Sequence, residues 1–178
     1  MCAGGGAWFR ASGTLGTMSL PPDANRTQPD HLPTPFSAAD IRAGCPFGRT
    51  IQLRSEAPGG ERTFLQIRFV EVDADGAVQE FQPTDPDGRP IGEPTLRHSS
   101  WLDLQHHASQ PASATVIDEV DLTLPFGTEA CWRYTVSAGD GPVTFWFAKG
   151  RPGMPVQVEE RAGGELVSRS VVLADGVA

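Results

Sequence analysis

Residues 115–149 read TVIDEVDLTLPFGTEACWRYTVSAGDGPVTFWFAK, and their alternation decides the fold class. From Thr115 to Leu124 the side chains alternate: Val116, Val120, Leu122 and Leu124 are expected on one face, Glu119, Asp121 and Thr123 on the other. A period of two marks a strand buried on one side. Pro125-Phe126-Gly127 turns the chain. Glu129–Ser137 sets Ala130, Trp132, Tyr134 and Val136 against Cys131, Arg133 and Thr135, and Ala138-Gly139-Asp140-Gly141 turns it again. The next strand, Val143–Lys149, is apolar on both faces, with Val143, Phe145 and Phe147 opposite Trp146 and Ala148. Such a strand needs cover on both sides and belongs inside a sheet. A strongly curved sheet wrapped around a helix provides that cover.

The same rhythm extends outward. Downstream, Pro155–Arg161 and Glu165–Leu173 flank the turn Ala162-Gly163-Gly164. Upstream, Thr50–Ser55 places Ile51 and Leu53 together. Thr63–Val72 places Leu65, Ile67 and Phe69 opposite Phe64, Gln66 and Arg68. Asp73-Ala74-Asp75-Gly76 is a hairpin loop leading to Ala77–Gln82. Asp85-Pro86-Asp87-Gly88 turns again before a short strand at Thr95–His98. The two acidic loops lack the bidentate Glu of a calcium loop and read as turns.

Two short helices interrupt the strands. Ser37 caps one over about residues 38–43, with Asp40 at the capping-box position and Phe36 and Ile41 placed for a hydrophobic staple. Ser100 caps another that runs from Trp101 to about Ala108. The expected fold is mainly β, a β-rich α+β class. It is a strongly curved antiparallel sheet or half-open barrel of about eight or nine strands with two short helices. Residues 36–175 form a single domain. Residues 1–35, rich in Gly, Pro, Ser, Thr and Asp without periodicity, are expected to be disordered or loosely attached, with the true start at Met18 or Met1.

Of 178 residues, 14 are Lys or Arg and 22 are Asp or Glu, a net charge of −8. That balance argues against nucleic acid as a partner and against anionic membranes. No run approaches the roughly 18 apolar residues of a spanning helix, so membrane insertion is not expected. The first residues lack the basic and apolar regions of a secretory signal, and a cytoplasmic location is expected. Cys2, Cys45 and Cys131 match neither a disulfide framework nor a zinc spacing. Reduced thiols are the first expectation, and a Cys45–Cys131 bridge is the alternative.

Three of the four histidines fall in Arg97–His107. His98, Asp103, His106 and His107 are therefore the candidate catalytic residues, since Asp103 and His107 share a helix face at i, i+4. The plainer reading makes Asp103 a cap and leaves His106 and His107 at the helix C-terminus, where the dipole favours their charge. The HEXXH spacing, the G-x-S-x-G elbow, the P-loop and the dinucleotide fingerprint do not occur. Neither a metal nor a cofactor is expected, and the reading leans away from an enzyme. The aromatic residues point elsewhere. Phe69, Trp132, Trp146 and Phe147 are candidate walls of an apolar groove. Arg68 and Arg133 are candidate anchors for an anionic ligand head, or else lie on the solvent face beside acids.

Over about residues 120–172 the chain has a strand, the Pro125-Phe126-Gly127 turn, Glu129–Val136, Thr144-Phe145-Trp146-Phe147 and Pro152-Gly153-Met154-Pro155-Val156 before a final hairpin. This order resembles the C-terminal meander of bacterial LolA/LppX-like curved-sheet proteins. The resemblance implies a half-open barrel that wraps a helix and encloses an apolar groove. Arg in place of Lys nearly throughout (Lys149 is the one lysine) suits a GC-rich genome, and the domain resembles a bacterial family of actinobacterial type. The chain departs from the LolA/LppX-like group in lacking a signal sequence and a lipid-attachment site. The expected function is non-enzymatic binding of an apolar or amphipathic small molecule by a monomer or homodimer. One alternative is a protein-interaction or structural domain with a filled core. Another is a hydrolase or isomerase using the His98–His107 region.

Overall fold

Nine antiparallel strands make one sheet in a computed structural model that describes residues 20–177. In chain order they are β1 (Arg49–Glu56), β2 (Arg62–Val72), β3 (Gly76–Thr84), β4 (Thr95–Ser100), β5 (Thr115–Leu124), β6 (Gly127–Ala138), β7 (Gly141–Ala148), β8 (Gln157–Ala162) and β9 (Glu165–Val177). Helix α1 (Ala38–Gly44) precedes β1, and α2 (Trp101–His106) links β4 to β5. The order across the sheet is β4-β3-β2-β1-β9-β8-β7-β6-β5. It consists of two meanders, β1–β4 and β5–β9, joined along the β1–β9 ladder. The expectations for residues 1–19, including Met18 and Cys2, lie outside the described residues.

The sheet is curved and not closed. Strands β2 and β7 are four gaps apart, about 19 Å in a flat sheet, yet Phe69 of β2 and Phe147 of β7 line one cavity. Register shifts at Gln52/Leu53, Phe69/Glu71 and Glu160/Arg161 accompany the bend, because an extra residue on one strand kinks it and increases its twist. The doubly apolar strand β7 sits inside the sheet between β8 and β6. Its Phe147 joins the core, and Trp146, pointing the other way, is also buried. On β5 the inward residue is Ile117, whereas Val116 is 61% exposed. The expected face of that strand start is therefore reversed. Ile117 pairs with buried Tyr134, and Val116 with Thr135.

Both helices begin as their caps dictate. The Ser37 hydroxyl accepts the Asp40 N–H, and the Asp40 carboxylate accepts the Ser37 N–H, completing a capping box. Ser100 accepts the Asp103 N–H at the start of α2. The β2–β3 turn docks α2: the Trp101 indole N–H donates to the Asp73 carbonyl at 3.2 Å, and the Trp101 backbone N–H to the Asp75 carbonyl. Gly76 permits this approach, since a Cβ there would run into the Ser99 carbonyl.

Residues 21–36 form an ordered strap in place of the loose attachment expected up to residue 35. Asn25, Pro33, Thr34 and Pro35 are buried in it. The Thr34 hydroxyl donates to the Asn25 carbonyl, and the Tyr134 hydroxyl donates to the Pro33 carbonyl at 2.8 Å. Gln105 of α2 donates to the Asn25 carbonyl and the Thr34 hydroxyl, while its own carbonyl oxygen accepts the Ala38 N–H. One buried amide thus ties strap, α1 and α2 together. Compositional bias toward Pro and polar residues does not reveal such satisfied backbone groups.

The seam between the meanders carries a buried ion pair. Arg49 of β1 reaches both carboxylate oxygens of Asp175 on β9, at 2.9 and 2.7 Å, with the two side chains 6% and 5% exposed. Its remaining nitrogen donates to the Gly44 and Pro152 carbonyls at 2.8 and 2.6 Å. Substituting Asp175→Asn leaves the guanidinium buried without its counter-charge. Urea unfolding should show a loss of about 3–5 kcal/mol. Glu56→Gln at the exposed Arg62–Glu56 pair should change the same measurement little.

Candidate functional site

The inner face of the sheet is divided in two. Over β6 and β7 it is filled. Phe36 of the strap sets its ring edge-on to Trp132 at 5.8 Å and to Phe147 at 6.5 Å, and Tyr134 meets Phe147 at 5.4 Å. Over β1–β4 it is open. There a cavity of about 250 Å³ lies between the sheet and the helices. Its floor is Ile51, Ile67, Phe69 and Phe81, which the hairpin registers bring together: Ile51 pairs with Ile67, and Ile67 with Phe81. Phe145 and Phe147 close one side, and Met154 and Pro155 of the loop before β8 close another. Ile41 of α1, Leu104 of α2 and Ala108 just beyond it form the roof. The polar lining comes from Arg97 and Ser99 of β4, their neighbour Gln79, and His107 and Gln110 after α2; Arg97 and His107 are exposed, and Ser99 is buried.

This is the composition of a small-molecule site, apolar walls with a few polar groups at one end. Phe69 and Phe147 are among its walls. Trp132 is on the same face but lies under Phe36, with the Lys149 ammonium 5.2 Å from its ring. Trp146 is on the opposite face of β7 from Phe147. Arg68 faces away from the cavity and pairs with Glu80 at 2.9 Å. Arg133 pairs with Asp118 at 2.9 Å, also outside the cavity. Both arginines find their carboxylates across the sheet, since Arg68 is opposite Glu80 and Arg133 opposite Asp118 in register.

The histidine cluster diverges. His98 is exposed beside Val78 on β4, pointing away from Arg97 and Ser99. Asp103 is spent on the cap, and hydrogen bonds from Ser100 hold its carboxyl below the usual range. His106 is exposed, and His107 alone of the four reaches the cavity rim. Among the described residues, no three His, Cys, Asp or Glu side chains gather to hold a metal.

Sequence reasoning missed Phe81, Arg97, Leu104 and Met154 as lining residues. The signal for Phe81 was present, because pairing the β2–β3 hairpin places it beside Ile67. Arg97 needed the inward face of β4, which a strand of mostly exposed residues conceals.

The sequence matches no protein-family model, and no curated protein matches it. The fold is similar to that in a crystal structure of MucB, with a TM-score of 0.54 at 12% identity over 78% of this chain. The chain spans 56% of the MucB chain. At that identity the likeness is one of fold. Among the described residues no helix is long and apolar enough to cross a membrane.

Cys45 lies on the cavity wall and Cys131 within β6, both as free buried thiols. Burial pushes the Cys45 thiol up, and the Arg49 charge and its hydrogen bond only partly oppose this. Burial, then Glu129 and Asp121, push Cys131 from 9.0 up to about 11, against the pull of Lys149. Burial likewise raises Tyr134. These groups are protonated at neutral pH and inert as nucleophiles. Raised acids release their protons first in the unfolded chain, so the unfolded state binds fewer protons and stability falls as pH rises. Stability should hold up to about pH 9 and drop between pH 9 and 11. Cys131 alone accounts for about 2–3 kcal/mol, which Cys131→Ala should remove from the pH dependence measured by urea unfolding.

Proposed function

We propose that the protein is a non-enzymatic binding domain for an apolar or amphipathic small molecule, held between the curved sheet and α2. The observation that carries this reading is the cavity of about 250 Å³, apolar on its floor and roof and polar at its rim. Its volume is just below the roughly 300–1,000 Å³ of drug-sized sites, so a small apolar body suits it. The resemblance to LolA/LppX-like proteins over about residues 120–172 supports the same reading. The free thiols Cys45 and Cys131 fit a reducing compartment such as the cytoplasm.

A second reading has its own observation. Leu96 on β4 and Val116 on β5 are 63% and 61% exposed, and both strands are sheet edges. Exposed apolar edges invite pairing with another chain, as an interaction domain would require.

N-phenylnaphthylamine, a neutral fluorophore that brightens in apolar surroundings, should bind the full chain saturably at one site. Ala108→Trp puts an indole into the roof at a half-buried position. It should weaken the probe at least about tenfold, or ~1.4 kcal/mol, with the thermal midpoint little changed. A protein that leaves the probe dark and sediments as a dimer, which Leu96→Lys dissociates, would establish the interaction reading instead.

A further inference from the structure

We infer that the ligand is an amphiphile with a single carboxylate head, and that Arg97 binds that head; this rests on the binding reading above. Most other basic side chains are already paired. Buried Arg49, half-buried Lys149 and the outward-facing Arg68 and Arg133 each hold a carboxylate within 3 Å. In a chain of net charge −8 this is expected, since acids outnumber bases. Arg97 has no acidic partner among the described residues and stands instead over an aromatic ring. Among the described residues Arg42 and Arg54 also have no ion pair, but neither lines the cavity.

The ring contact fixes the position of Arg97. Its guanidinium carbon stands 5.3 Å from the centroid of Phe81, which is part of the cavity floor. A guanidinium over a ring face is held by the ring quadrupole and keeps its N–H edge free to donate. Arg97 lines the cavity and is exposed, so its charge stands in water at the mouth. Across the ladder Gln79 is its partner in register, and Ser99 follows it on the same face. All three line the cavity. A chain lying on Ile67 and Phe69 would therefore bring its polar end to a planar cation with amide and hydroxyl groups beside it. One arginine matches one negative charge in the planar, two-oxygen form of a carboxylate. A phosphate dianion would leave charge uncompensated on a chain of net charge −8.

Calorimetry on the full chain tests this with decanoate, decanol, decyl phosphate and decyltrimethylammonium, each below its micellar concentration. Decanoate should bind about tenfold tighter than decanol, the low end for a charge-assisted hydrogen bond because the site is open to water. Decyl phosphate should bind no tighter than decanoate, and the cation should bind weakest. Arg97→Gln should erase the preference for decanoate over decanol. Arg97 is an exposed edge residue, so this variant should fold as the parent does. Arg68→Gln, on the outer face, should leave the preference intact. Equal binding of decanoate and decanol by the parent would overturn the head-group assignment and leave the apolar-ligand reading standing. Tighter binding of decyl phosphate would overturn the carboxylate in favour of a phosphate. If none of the four binds and N-phenylnaphthylamine also stays dark, the binding reading itself falls.

Discussion

The ion pair between Arg49 and Asp175 stands where the two halves of this protein meet. Each meander, β1–β4 and β5–β9, is built from hairpins and can pair its own strands locally. The two join along the β1–β9 ladder, and Arg49 and Asp175 lie on its two strands. A buried pair does not by itself promise stability, because desolvating both charges can cost as much as their attraction returns. Here the geometry is good: both carboxylate oxygens are used, and the spare guanidinium donors meet the carbonyls of Gly44, at the end of α1, and Pro152, in the β7–β8 loop. The pair therefore ties the seam to α1 and that loop, which supply part of the cavity's roof and side.

On either side of the seam the inner face is filled unequally. The strap from residue 21 to Phe36 lies over β6 and β7, where Phe36, Trp132, Tyr134 and Phe147 make an aromatic cluster. The helices cover β1–β4. Gln105 joins the two covers through its bonds to Asn25, Thr34 and Ala38. α2 is anchored at its start by Trp101 on the β2–β3 turn and later by Gln105, so Leu104 is held above the sheet.

Much of this was legible in the alternation. The strands, both helix caps and the interior place of β7 arise from period-two patterning, Ser-x-x-Asp spacing and turn residues, which are local signals. Phe69 and Phe147 were legible as wall because each sits on an inward face. Trp132 and Trp146 show what locality misses. Trp132 has the right face but is covered by Phe36, which is far from it in sequence. Trp146 has the same hydrophobicity on the wrong face of a strand buried on both. Arg68 and Arg133 were ambiguous alone, and only the strand register reveals Glu80 and Asp118 opposite them. Arg97 was hidden because a polar edge strand gives no sign of which side faces in.

The cavity also bears on how the sequence uses its small residues. Were it empty and closed, about 250 Å³ would cost on the order of 6 kcal/mol at roughly 24 cal/mol per Å³. That is comparable with the whole stability of an ordinary domain. A larger apolar side chain at Ala108 or Ser99 would fill much of it. Gly153 on the same wall cannot enlarge so simply, because its φ of +133° favours glycine and a Cβ would press on Arg49 Nη1 and Cys45 Sγ at 3.3 Å. The arginine that fixes the seam thus also keeps one wall of the cavity thin. On the proposed reading, an apolar body in that space with an anionic end at Arg97 would offset the cost that these small side chains leave.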